Sequence, residues 1–472
     1  MRKTKIICTV GPATDKPGVL ESMMRAGMNV ARFNFSHGDY AVHQRRFEQL
    51  VELREKAGLP VASMLDTRGP EIRLGTFRDH KPVEIHTGEE YTLTTRDVEC
   101  DEKIASVTFK GLPGDVRVGT RILINDGLVS MVVKKVTETD VICDVIDGGM
   151  LSDHKGVNVP GVELSMPYLS ETDMNDLEFG AKLGFDFIAA SFVRSAADVA
   201  YLRKFTNALG WRSVRIIAKI ENMDGDNNID EIIDEADGIM VARGDMGVEI
   251  PFEKIPPIQK RLIKKAYSAG KQVVTATQML ESMITNPRPT RAEITDVANA
   301  VYDGTSAIML SGETAAGAHP VEAVETMALI AESTESQIDY VTHFKAFGND
   351  SNTTITNAIS HATVTTAHDL GAKAIITVTK SGSTARMISK HRPQSMIIGC
   401  TTNDTVCRQM SMSWGVVPLM CDEKRNTDEL FSHAVDVARK NGLVEKGDTV
   451  VITAGIPLGI SGTTNMLKVE TL

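Results

Sequence analysis

Thiols are few, and nothing in their spacing pairs them. The six cysteines, Cys8, Cys100, Cys143, Cys400, Cys407 and Cys421, form no CxxC pair and no Cys/His spacing of a metal site. Several lie inside apolar runs, which implies buried, reduced thiols rather than a disulfide framework. Positive charge is also short: 51 Lys+Arg face 62 Asp+Glu, for a formal net charge of −11. The pI of about 5.6 argues against a nucleic-acid partner or an anionic membrane surface, although a local cluster of Arg and Lys can still hold phosphate. No apolar stretch approaches a membrane span, and the apolar run in MRKTKIICTVGP is too short for a secretion signal. The expected location is cytoplasmic. Familiar chemical signatures are missing as well. Gly270-Lys271-Gln272 lacks the spaced glycine and the Ser/Thr of a Walker A loop, and HExxH, GxSxG and GxGxxG are absent. P-loop kinases, zinc proteases, α/β-hydrolases and Rossmann dehydrogenases are therefore unsupported.

What is present is a chain of 472 residues with 42% hydrophobic content, enough for about three domains or one large barrel with appendages. Its centre is the stretch 214–249, where two short apolar runs flank a segment of helical spacing, so the unit reads strand, helix, strand. Lys219 and Glu221, two apart at the end of the first strand, share a face. If the strands are parallel neighbours, Glu221 and Asp245 lie at adjacent C-terminal ends, roughly 5 Å apart. Two carboxylates and a lysine suit a magnesium ion and an anionic substrate; inert strand-end ion pairs are the alternative.

Further strands are expected at 5–10, 29–35 and 60–65, with an amphipathic helix over 43–58. In the second strand Val30, Arg32, Asn34 and Ser36 share one face and Ala31, Phe33 and Phe35 the other. From about Gly69 to Pro167 the composition turns to Val, Ile, Thr and Gly with strand alternation, and Asn125-Asp126-Gly127 marks a hairpin turn. Alternation of strand and helix then resumes, with strands at 185–193, 215–221, 238–243, 272–277 and 306–311. Eight β/α units interrupted once predict an α/β fold, a (β/α)8 TIM barrel with an inserted small β-barrel lid and a C-terminal α/β domain. An open doubly wound sheet competes, but polar residues at the C-terminal strand ends favour the barrel. The expected division is 1–69 with 168–340 for the barrel, 70–167 for the lid and 341–472 for the C-terminal domain. In the last, Lys380-Ser381-Gly382-Ser383-Thr384 and the loop holding Ser461, Gly462 and Thr463 read as phosphate cradles or as a plain N-cap and a turn.

The expected mouth holds Arg32, Arg73, Lys219 and Arg243 beside Asp66, Glu221 and Asp245, an inventory that fits phosphoryl transfer. Asn34, Ser36, Asp66 and Thr67 offer only oxygen ligands, as a monovalent cation needs, and the Gly244 and Asp245 amides with Thr277 suit a carboxylate. A mobile lid would exclude water, the competing acceptor. Here the motifs ARFNFSHGDY (31–40), LDTRGPEIR (65–73), KIEN (219–222), MVARGDMGVEIP (240–251), ATQMLESM (276–283), NPRPTRAE (286–293) and MLSGETAAG (309–317) resemble pyruvate kinases, in order along the chain.

The resemblance implies transfer of phosphate from phosphoenolpyruvate to ADP, with Mg2+ (or Mn2+) and K+. It makes Lys219, Arg32 and Thr277 catalytic, and puts Gly244 and Asp245 with them on the substrate. Glu221 and Asp245 would hold Mg2+; Asn34, Ser36, Asp66 and Thr67 would hold K+. Asn34, His37, Arg73 and Lys155 would face the nucleotide, Glu71 goes with K+ dependence, and Thr277 with a water would protonate enolpyruvate. The loops 380–384 and 461–463 would take a sugar-phosphate effector, and the family implies a homotetramer. Two departures stand out: Arg68 replaces a lysine, which differs in reach and donor geometry, and Leu430, expected just upstream of a helix over 434–442, stands where some members carry arginine. A magnesium-dependent lyase or aldolase, with Lys219 as a Schiff-base amine, and a non-catalytic metabolite sensor are the other readings.

Overall fold

The computed structural model describes residues 1–347, 354–424, 426–457 and 464–472. Eight parallel strands close into a barrel: Lys5–Thr9, Val30–Asn34, Ala62–Asp66, Phe187–Ala190, Arg215–Ile220, Gly238–Ala242, Gln272–Ala276 and Ala307–Leu310. Closure is explicit in the register Lys5↔Ala307 between the first strand and the last, which excludes the open sheet. Period two sorts the side chains. Ile7, Val30, Met64, Phe187, Ile217 and Met240 fill the barrel's interior, while Ile6, Cys8, Ala31 and Phe33 pack outward against the helices. One step further along the inward faces come Arg32, Asp66 and Lys219, so the alternation that fills the core also aims these groups at the C-terminal mouth.

Two elements of the barrel differ in extent from expectation for a local reason. The fourth strand stops at Ala190 because Phe192 adopts left-handed backbone (φ 53°), which turns its amide towards Glu221. The helix expected from residue 43 begins at Tyr40, since the Asp39 carboxylate accepts from the Val42 amide at 2.9 Å and caps it.

Between the third and fourth strands the chain builds a curled seven-stranded sheet. Its edges, Ile72–Arg73 and Ile104–Ser106, meet through the bridge Leu74↔Val107, around a separate core that includes Tyr91, Met131, Val141, Cys143 and Val145. The predicted hairpin joins Arg121–Ile124 to Val129–Val136, with Asn125, Asp126 and Gly127 at φ 55°, 55° and 81°.

The C-terminal part is a five-stranded sheet, four strands parallel and Thr464–Thr471 antiparallel at one edge. It covers the bottom of the barrel. Met412 joins the interior cluster, Arg408 Nε donates to Asp186 Oδ1 at 2.9 Å, and Gln409 Nε2 donates to the Asp186 and Ser213 carbonyls. Helix Thr427–Lys440 starts seven residues earlier than the expected 434, capped by Asn426, so Leu430 is buried inside the helix rather than upstream of it. No helix among the described residues is long and apolar enough to cross a membrane.

Candidate active site

A cavity of about 520 Å3 opens between the C-terminal mouth of the barrel and the inserted domain. At its floor Lys219, 8% exposed, joins groups from three neighbouring strands. Its ammonium donates to Ser191 Oγ at 2.7 Å and to Asp66 Oδ1 at 3.2 Å, and stands 2.9 Å from Glu221 Oε1. Arg32 Nε donates to the other Asp66 oxygen at 2.5 Å. Burial would lower the lysine's pKa, but the carboxylates of Asp66, Glu221 and Asp245 outweigh it and hold the group above its ordinary value. Asp66 is driven the opposite way: burial favours its neutral form, yet Arg32 and Lys219 keep it below the usual carboxylate range.

Glu221 is fully buried, and burial together with Asp245 pushes its carboxyl up to about 8 against the pull of Lys219. Its Oε2 accepts from the Phe192 amide at 2.5 Å, whereas Oε1 has only the Lys219 ammonium, 2.9 Å away, as a partner. That oxygen and exposed Asp245 are the pair to which a hard divalent ion fits. Among the described residues no three His, Cys, Asp or Glu side chains cluster as a metal cage.

The structure brings most of the expected residues into this one cavity. Arg32, Asn34, Ser36, Asp66, Thr67, Lys219, Glu221 and Asp245 line it from the barrel. His37, Arg73 and Lys155 line it towards the inserted domain, where Arg73 Nη1 donates to the His154 carbonyl and Nη2 to Glu71 Oε2, at 2.9 and 2.8 Å. Gly244 and Thr277 are not among the lining residues; they abut one another beside Asp245. A Cβ at Gly244 would stand 2.7 Å from Thr277 Cγ2, and Thr277 itself has φ 75°, a costly conformation for a β-branched residue.

Arg243 is a correction. It leaves the mouth and binds the Ala276 and Thr277 carbonyls at 3.2 and 2.7 Å and Asp296 Oδ1 at 2.7 Å. The chain has already turned into the helix Arg243–Glu249 by that point, so strand alternation no longer aims the side chain.

With this geometry in place, comparison with known proteins is direct. The family described as "Pyruvate kinase, barrel domain" matches residues 1–324, and "Pyruvate kinase, alpha/beta domain" matches 357–470. The chain belongs to the pyruvate kinase family. It is 50% identical to the pyruvate kinase of Clostridium acetobutylicum over 472 residues, covering 100% of this chain and 99% of that protein. The pyruvate kinase of Geobacillus stearothermophilus is 49% identical over 473 residues, covering 100% of this chain and 80% of that one. A crystal structure of a pyruvate kinase from Cryptosporidium parvum superposes with a TM-score of 0.94 at 40% identity, over 100% of this chain and 96% of the other. As a member of the family the chain is a kinase that moves phosphate from phosphoenolpyruvate to ADP.

Sequence reasoning missed several groups. Ser191, whose Oγ accepts from Lys219 and donates to the Thr67 carbonyl, could have been found as the inward residue just past the fourth strand. Asp176 is another: Arg68, singled out above for replacing a lysine, lines the cavity and pairs with it at 3.4 Å, while the Tyr40 hydroxyl donates to its other oxygen. Asn158, Asp224 and Glu249 also line it, and no local pattern distinguishes them from solvated polar residues.

Proposed function

We propose that this cavity carries the phosphoryl group of phosphoenolpyruvate to ADP, giving pyruvate and ATP, with Lys219 and Arg32 as the cations that meet the travelling group. The observation that supports this most is the state of Lys219, a buried ammonium held charged by three carboxylates. A fixed cation in a desolvated pocket stabilises charge on phosphoryl oxygens. It is the opposite of the neutral amine that Schiff-base chemistry requires, so the aldolase reading loses its nucleophile.

Glu221 and Asp245 are the protein ligands for Mg2+ or Mn2+ in this reading; Glu221 Oε1, which takes no backbone donor and faces only the Lys219 ammonium, is the oxygen the ion would share. Such an ion, when bound, neutralises oxygens of donor and acceptor. Asn34, Ser36, Asp66 and Thr67, all oxygen donors on one wall, fit K+, with Glu71 nearby on Arg73. Asn34, His37, Arg73 and Lys155 face ADP. Gly244 and Thr277 receive the substrate carboxylate, since the absence of a Cβ at Gly244 keeps Thr277 close. Thr277 with a water delivers the proton to enolpyruvate.

The same proposal covers the C-terminal domain as the seat of a sugar-phosphate effector. Helix Ser383–Lys390 starts after Gly382 (φ 76°) with no side-chain cap hydrogen bond, and Thr384 Oγ1 lies 2.8 Å from Thr464 Oγ1. Lys380, Ser381, Gly382, Ser383 and Thr384 are its described candidates; Ser461, Gly462 and Thr463 lie outside the described residues. A cytoplasmic homotetramer, and the division at 1–69 with 168–340, 70–167 and 341–472, belong to the proposal too, the last supported by the separate hydrophobic clusters. The test is a lactate dehydrogenase-coupled assay. Pyruvate should form from phosphoenolpyruvate only when ADP, Mg2+ and K+ are all present; none with all three supplied would refute the reading.

A further inference from the structure

The inserted domain reaches the barrel helix Arg243–Glu249 at two points. Asn158 Nδ2 donates to Glu249 Oε1 at 2.8 Å, the one hydrogen bond the Glu249 carboxylate makes among the described residues. The hairpin tip faces the same helix, where a Cβ on Gly127 would stand 3.7 Å from Val248 Cγ1. Each side of the contact belongs to a functional element. Strand Gly156–Asn158 follows directly on Lys155 and pairs Gly156 with Arg73. The helix carries Asp245 one turn before Glu249, on the same face. Burial and the nearby Asp224 and Asp245 favour the neutral form of Glu249, and the Asn158 donor works against them.

We infer that Asn158 and Glu249 form a latch, a pair of positioning residues that holds the inserted domain on the barrel and sets the nucleotide-facing Arg73 and Lys155 relative to Asp245. The latch rests on the phosphoryl-transfer reading above. It makes nucleotide affinity depend on a contact between the inserted domain and the barrel helix at the wall of the cavity.

The test is a reversal of the hydrogen bond. Asn158→Asp sets a carboxylate against Glu249 and breaks the latch; adding Glu249→Gln remakes it with the donor on the other side. Fluorescence titration of mant-ADP in Mg2+ should show affinity falling about tenfold in Asn158→Asp and returning to within about threefold of wild type in the double variant. The KM for ADP should follow that pattern, with kcat and the KM for phosphoenolpyruvate moving much less. Glu249→Gln alone, which keeps the shape, should weaken binding about threefold and serves if Asn158→Asp does not fold. Unchanged affinity in either single variant, or a double variant no better than Asn158→Asp, overturns the latch. Wild-type protein that binds mant-ADP with this pattern yet makes no pyruvate overturns the phosphoryl-transfer reading and leaves the latch standing.

Discussion

Replacing Lys219 by methionine removes the cation at the cavity floor while keeping an unbranched side chain of similar length, so no large void opens. The loss is electrostatic. Lys219 Nζ stands 3.2 Å from Asp66 and 2.9 Å from Glu221 in a pocket where its side chain is 10% exposed. At an effective dielectric of ~20, unit charges ~4 Å apart interact by about 4 kcal/mol. Felt only in the transition state, that is about 10³ in rate, within the range of about 10²–10³ for removing a fixed charge-stabilising donor. The expected fall in kcat is therefore about 10²–10³-fold or more.

The fold should survive, because Asp66 keeps Arg32 at 2.5 Å and Glu221, already pushed up to about 8, takes a proton. Turnover is measured by the coupled assay at saturating Mg2+, with circular dichroism as the folding control. A well-folded variant within about tenfold of wild-type kcat would refute the argument, since it places the phosphoryl group elsewhere than beside Lys219.

Three further outcomes follow from other parts of the structure. Glu221→Gln removes one of the two carboxylates proposed for the metal and should raise the Mg2+ concentration for half-maximal rate about tenfold or more, read by Mg2+ titration; an unshifted titration would remove Glu221 from the metal. Arg408→Ala strips the principal cation from Asp186, whose carboxyl burial already holds above 3.8 despite that cation. An acid with a raised folded-state pKa contributes stability below its unfolded value and loses it as pH climbs through the folded one. The variant's stability deficit should therefore be larger at pH 8 than at pH 5, amounting to about 3–5 kcal/mol at the higher pH; calorimetry showing a pH-independent deficit would refute it. Lys380→Ala or Ser383→Ala should remove most of the proposed activation by a sugar phosphate such as fructose 1,6-bisphosphate, measured as the ratio of activated to basal rate; full activation in both would leave those loops as ordinary helix starts.

How far the sequence could be read depended on whether a side chain sat in a strand. Arg32, Asp66 and Lys219 lie one step past Val30, Met64 and Ile217 on inward faces, so period two alone aims them at the mouth. Glu221 lies just beyond Ile220 and still obeys the same alternation. Arg243 shows where the rule ends. One residue past Ala242 the chain coils into a helix, and the guanidinium swings behind the mouth onto two main-chain carbonyls. Carbonyl acceptors carry no signature in a sequence, and neither does the Asn158–Glu249 contact across 91 positions. Yet Arg243 still serves the site. The carbonyl it grips at 2.7 Å is that of Thr277, whose left-handed φ of 75° needs outside support. The residue expected in the mouth instead braces Thr277, the threonine proposed to contact the substrate, and its own anchor is Asp296, a carboxylate from helix Arg291–Tyr302 outside the barrel wall.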